Sequence, residues 1–166
     1  NENIFYSRIS QLKQLSIFKN ESALRSFNAL IPKISNEIIQ FNDQNFVIDK
    51  FEVFLKKLSS GSQIFPLLEN NPSSIKILLL VLNSSSLILD QLSNDVKLFD
   101  LFISKNFMDS ISSKETMNNE LKIRIIRKND FEFIINELRR FVKERKFQIS
   151  IHLILGKINC FTASIF

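Results

Sequence analysis

Apolar residues recur along this chain at three- and four-residue steps, the spacing that places them on one face of an α-helix. Ile9, Leu12, Leu15 and Ile17/Phe18 begin the pattern, and Asn20 before Glu21 is a capping pair that starts a second helix. There Leu24, Phe27, Leu30/Ile31, Ile34 and Ile38 form an amphipathic stripe. Pro32 falls within it and predicts a kink or a restart, because proline lacks the backbone donor and crowds the previous turn. A third helix is predicted from about Asn45 to Leu58, with Phe46/Val47, Phe51, Phe54/Leu55 and Leu58 inward. After the break at Ser59-Ser60-Gly61-Ser62 come short apolar pieces: Ile64 to Glu69, Ser73 to Leu82, Ser86 to Leu92 and Asp95 to Ile103. Asn70-Asn71-Pro72 and Asn83-Ser84-Ser85 separate three of them with cap and turn chemistry. Helices this short do not hold alone, so they must pack on one another.

The stretch Asp109 to Asn119 is polar and without period, which divides the chain into segments 1–110 and 111–166. Beyond it, Glu120 to Arg127 and Asp130 to about Ile158 read as helices, Asp130 capping a run of Phe131, Ile134/Ile135, Leu138 and Phe141/Val142. No repeat of fixed period is evident, which argues against a helical solenoid. The expected fold is all-α, a helical bundle of short packed helices. Its core should draw on Phe27, Leu30, Phe51, Leu55, Leu67, Leu78, Leu82, Leu92, Phe99, Leu138 and Phe141.

Composition sharpens this picture by exclusion. Of 166 residues, 45% are hydrophobic and 23% charged, enough apolar surface for a core and too little charge for a disordered tail. Two glycines and three prolines leave almost no punctuation for hairpins or glycine-rich phosphate loops, so an all-β fold is disfavoured. One cysteine and one histidine exclude a disulfide framework and a soft-ligand metal cluster. The longest apolar run, Ile77 to Leu82, is far short of the roughly 20 residues a membrane span needs. The chain opens on Asn1 and shows no signal-peptide order, so a fragment of a longer polypeptide is expected.

Candidate chemistry is sparse. Gly61 and Gly156 stand alone, and neither opens a strand-to-helix turn of the kind that cradles phosphate. Nucleophilic catalysis would need His152 beside Cys160 or a serine, yet His152 lies in the run Ile149-Ser150-Ile151-His152-Leu153-Ile154-Leu155 and reads as a core or half-buried histidine. Metal-dependent nucleotidyl transfer needs closely spaced carboxylates to hold magnesium on a triphosphate, and no Asp-x-Asp occurs. The residues therefore suggest no catalytic, cofactor-binding or metal site. One charge signal stands out: segment 121–146 holds nine cations against four carboxylates, a balance of +5 that equals the whole chain's. Arg139, Lys143 and Lys146 share a helical face, with Arg140 beside them. These four are the candidate docking residues for an acidic partner; the plainer reading is a solvated helix face. Nucleic acid is disfavoured, because no recognition motif or interleaved aromatics accompany the charges.

Ser62-Gln63-Ile64-Phe65-Pro66-Leu67-Leu68-Glu69-Asn70-Asn71-Pro72, then Ser84-Ser85-Ser86-Leu87-Ile88-Leu89-Asp90-Gln91-Leu92 and Lys97-Leu98-Phe99-Asp100, resembles in order and spacing the bifunctional glutamine synthetase adenylyltransferase/adenylyl-removing enzyme. Leu30-Ile31-Pro32 upstream, and Asn136-Glu137-Leu138-Arg139-Arg140-Phe141 and Leu155-Gly156 downstream, extend the resemblance over nearly the whole chain. Gly61, Ser86-Leu87, Val142, Gln148 and His152-Leu153 depart from the family pattern.

The resemblance implies a bacterial, cytoplasmic enzyme of nitrogen metabolism in which two nucleotidyltransferase-like domains flank a helical centre. One domain removes AMP from glutamine synthetase, and the other adds it from ATP with magnesium. Residues 1–110 would be the central helical linker or regulatory region, and residues 111–166 the helical lead-in to the second domain, whose Gly-Ser and Asp-x-Asp motifs are expected after Phe166. By the same resemblance, glutamine synthetase and the PII signalling protein are partners, together with the adjoining catalytic domains. This segment alone is expected neither to transfer nor to remove AMP. Two other readings stand beside it: a free-standing helical interaction module and, more weakly, a basic nucleic-acid-binding helical domain.

Overall fold

The computed structural model describes residues 2–109, 111–126 and 130–165. Among them are ten α-helices and no strand, so the all-α expectation holds. In chain order these are α1 Glu2–Leu12, α2 Glu21–Ile38, α3 Gln44–Lys57, α4 Gly61–Asn70, α5 Ser74–Ser84, α6 Ser86–Asn94 and α7 Val96–Ile103, then α8 Lys114–Ile125, α9 Phe131–Ile154 and α10 Cys160–Ile165. Short 3-10 turns occupy Ser16–Phe18 and Lys105–Met108. The chain forms two compact units, 1–104 and 105–166.

Caps explain why the helices of the first unit start where they do. The Asn20 side chain accepts from the Ser22 and Ala23 amides at 2.8 and 3.4 Å, and Asp43 from Phe46 at 3.0 Å. Ser85 accepts from Ile88 at 3.4 Å, and Asp95 from Lys97 and Leu98 at 3.1 and 3.2 Å. Each satisfies a donor that the first helical turn otherwise leaves orphaned. α2 packs on α4 and α5, α3 on α5 and α6, and α4 on α7. Phenylalanines fill the space between them. Phe18, Phe27 and Phe65 form a triangle with centroids 4.6 to 5.3 Å apart, and Phe51, Phe54, Phe99 and Phe102 follow in a row at 6.1 to 6.2 Å. Arg8 ties α1 to α3 through Asp49 and Glu52, and Lys57 ties α3 to Asp90 of α6.

Several expectations need correction. The first helix stops at Leu12, and Ile17 and Phe18 belong to the 3-10 turn that follows. α2 runs unbroken through Pro32: the proline is exposed, while Ile31 and Ile34 on either side are buried and hold the helix in register. Phe46 faces outward at 45% exposure, its ring 5.2 Å from the Lys50 ammonium. Leu67 and Leu138 are half-buried, whereas the other nine expected core residues are buried. The polar stretch Asp109 to Asn119 turns helical at Lys114, where the Ser113 hydroxyl caps the Thr116 amide at 3.2 Å.

The second unit is organised around the Phe107 carbonyl. Gln148 Nε2 donates to it at 3.2 Å and His152 Nε2 at 3.0 Å, so the imidazole carries its proton on Nε2. The Phe107 ring packs on Phe147 at 5.6 Å. α9 ends in a paired cap: Lys157 N–H donates to the His152 carbonyl at 2.9 Å and Gly156 N–H to the Leu153 carbonyl at 3.0 Å. That geometry needs a left-handed residue, and Gly156 supplies it at φ 67°.

Candidate docking face on the long basic helix

α9 is positioned by its two ends. Asp130 caps its start, accepting from the Glu132 amide at 3.0 Å, and Phe141, Phe147, Gln148, Ile151 and His152 bury its second half. This anchoring rotates the predicted docking residues outward. Arg139, Lys143 and Lys146 are exposed. Arg140 is exposed too, but its guanidinium lies 3.3 Å from Glu137 and 3.2 Å from Glu144, which neutralise part of its charge. Arg127 and Lys128, counted in the same basic segment, lie outside the described residues.

Two further arginines, Arg124 of α8 and Arg145 of α9, are committed inward, whereas Lys114 and Lys122 of α8 are exposed. Arg124 donates to Glu144 at 2.8 Å and to Glu120 at 3.2 Å. Arg145 grips both Glu120 oxygens at 2.7 and 2.6 Å and reaches Gln148 at 2.8 Å. Both guanidinium carbons lie 5.1 Å from the centroid of the Phe141 ring, within cation–π range. Burial works against the charged form of Arg124, but hydrogen bonding and charge from Glu144, with those of Glu120, outweigh it and hold its pKa above the ordinary arginine value. Only the within-helix pairs of this network, Glu120 with Arg124 and Arg140 with Glu144, were visible as four-residue steps in the sequence. The partners across helices were not.

A cavity of about 380 Å³ opens in the same unit, lined by His152, Lys157, Asp109 and Thr162 together with Met108, Ile111 and Ile158. Lys157 Nζ donates to the Met108 carbonyl at its edge, and the Nε2 of His152 is committed to Phe107. Cys160 is exposed. Among the described residues no group of three or more His, Cys, Asp or Glu side chains is placed to hold a metal ion, and no helix is long and apolar enough to cross a membrane. What the geometry offers is a surface: three exposed cations on a rigid helix, backed by an internally neutralised network.

No family model matches the chain, and no solved structure matches it. Curated relatives do. The chain is 23% identical over 141 residues to a protein of Brucella suis biovar 1, the alignment covering 85% of this chain and 14% of the relative. It is 24% identical over 149 residues to one of Rhodopseudomonas palustris, covering 90% and 15%, and 29% identical over 112 residues to one of Bartonella henselae, covering 68% and 12%. The chain thus spans about a seventh of the length of these relatives. All three carry one name, and it is the family reached from the order and spacing of the sequence motifs: the chain resembles a segment of the bifunctional glutamine synthetase adenylyltransferase/adenylyl-removing enzyme.

Proposed function

We propose that this chain serves as a non-catalytic helical linker and regulatory segment of an enzyme that adds AMP to glutamine synthetase and removes it. The supporting observation is collinear similarity to the named relatives over as much as 90% of the chain. Residues 1–110 are the central region in this reading, and 111–166 lead into a nucleotidyltransferase domain. ATP and magnesium belong to the catalytic domains: this chain has no Asp-x-Asp, and its described residues hold no carboxylate cluster that suits a magnesium triphosphate. Glutamine synthetase and a PII-type signalling protein are the partners, in the bacterial cytoplasm.

The face of Arg139, Lys143 and Lys146 is the docking surface, meeting an acidic patch on the second catalytic domain or on a partner. Electrostatic complementarity of this kind sets partner choice and association rate more than fold stability. The test is the double reversal Arg139→Glu/Lys143→Glu in the full-length enzyme. Association and regulated adenylylation of glutamine synthetase should weaken; the parent's own contact should also weaken as salt rises toward 0.15 M, where the screening length is about 8 Å, so the deficit of the variant narrows there. The melting temperature should barely move, since exposed pairs contribute about 0 to 1 kcal/mol each. Unchanged association, unchanged regulation and unchanged stability together would refute the docking role.

A further inference from the structure

We infer that α8 is a charge-held strap on α9, which opens as a unit when its ion pairs are screened or removed while the rest of the chain stays folded. The first ground is what α8 lacks. None of its described residues is buried. Met117, Leu121 and Ile125 form an edge at four-residue steps but are only half-buried, and Ile123 faces solvent at 75% exposure, as does Ile126 just past the helix. On α9, by contrast, Phe147 and Ile151 are 1% and 0% exposed. A helix of twelve residues without a buried stripe is marginal in water by its own propensity.

The second ground is what holds it. Across the seam run the forked Arg145–Glu120 contact and the Arg124–Glu144 contact, with Arg124 and Arg145 both set against Phe141. The third ground is an asymmetry. If α8 departs, Glu144 keeps Arg140 and Arg145 keeps Gln148, both on α9 itself, and Gln148 keeps the Phe107 carbonyl. On α8, Glu120 keeps Arg124, four residues away. No charged group named in the seam is stranded by opening, so the open form is accessible without unfolding α9. Opening would bare the Phe141 ring and the Arg145 fork, a place Glu120 otherwise fills.

Hydrogen exchange read by mass spectrometry on the whole 166-residue chain tests this. Between about 0.05 and 1 M NaCl the screening length falls to about 3 Å, and protection of amides 116–125 should drop about tenfold or more, while amides 144–152 of α9 and 27–36 of α2 change by less than about twofold. Glu120→Gln should open α8 already at low salt. The swap Glu120→Arg/Arg145→Glu should restore protection that either single change removes. Should Glu120→Gln unfold the unit, the loss of α9 protection would reveal it, and the salt series on the unaltered chain still decides. The inference is overturned if α8 is as protected as α9 and indifferent to salt, if it is unprotected even at low salt, or if α8 and α9 lose protection together.

Discussion

Gly61→Ala should destabilise the first unit, against the sign that helix propensity assigns. Gly61 opens α4, and its backbone does not lie in the left-handed region, so alanine there should by itself help by about 0.5 to 1 kcal/mol. The space around it decides otherwise. A Cβ would sit 2.7 Å from Phe65 Cε2, 3.0 Å from the Ile17 carbonyl oxygen and 3.3 Å from Ile17 Cβ. To reach ordinary contact at 3.4 Å the Phe65 ring must retreat by about 0.7 Å. It has little room to do so: Phe65 is 1% exposed, stacked on Phe18 at 5.3 Å and tilted against Phe27 at 5.0 Å. Inserting a methyl into packing this tight costs about 1 to 3 kcal/mol, so the net loss falls between about 0 and 2.5 kcal/mol and centres on about 1 kcal/mol. For a unit of roughly 100 residues each kcal/mol moves Tm by about 4 to 8 °C. Urea unfolding followed by far-ultraviolet circular dichroism, with a thermal scan beside it, measures the change. Phe65→Leu in the Gly61→Ala background should recover part of the loss, because the two sites share one contact. An alanine variant as stable as the parent, or more stable, would refute the packing argument.

Two further outcomes follow from the same core. Phe51→Ala, at a ring 2% exposed and 6.2 Å from Phe54, should cost about 3 to 5 kcal/mol in urea unfolding, and a loss below about 1 kcal/mol would contradict its burial. Asn83→Leu should stabilise by about 1 kcal/mol, because both amide atoms of Asn83 are buried and have no hydrogen-bond partner among the described residues, and a destabilisation of that size would point to an ordered water bound there.

The fold class and most of the helices were legible in the spacing of apolar residues alone. Three- and four-residue spacing of Phe27, Leu30, Ile34 and Ile38 leaves one way to bury them, and Asn20 and Asp130 mark helix starts through chemistry that is local to a single turn. Motif order alone led to the family that the curated relatives carry. Local pattern failed where a distant residue decided. Phe46 looked inward by spacing, yet α5 and α6 take up the Val47, Phe51 and Phe54 side of α3 and leave Phe46 to Lys50. α8 was hidden at its start, because its hold on α9 comes from charges meeting across twenty or more residues, as in Arg124–Glu144 and Arg145–Glu120, and not from an apolar stripe of its own. The candidate docking face divides in the same way. Spacing placed Arg139, Lys143 and Lys146 together, but only the packed helices show that Arg124 and Arg145 of the same basic segment turn inward onto Phe141. Periodicity records which side of a helix is apolar. Which neighbour covers that side, and which charge answers a charge, is settled by contacts between residues far apart in the chain.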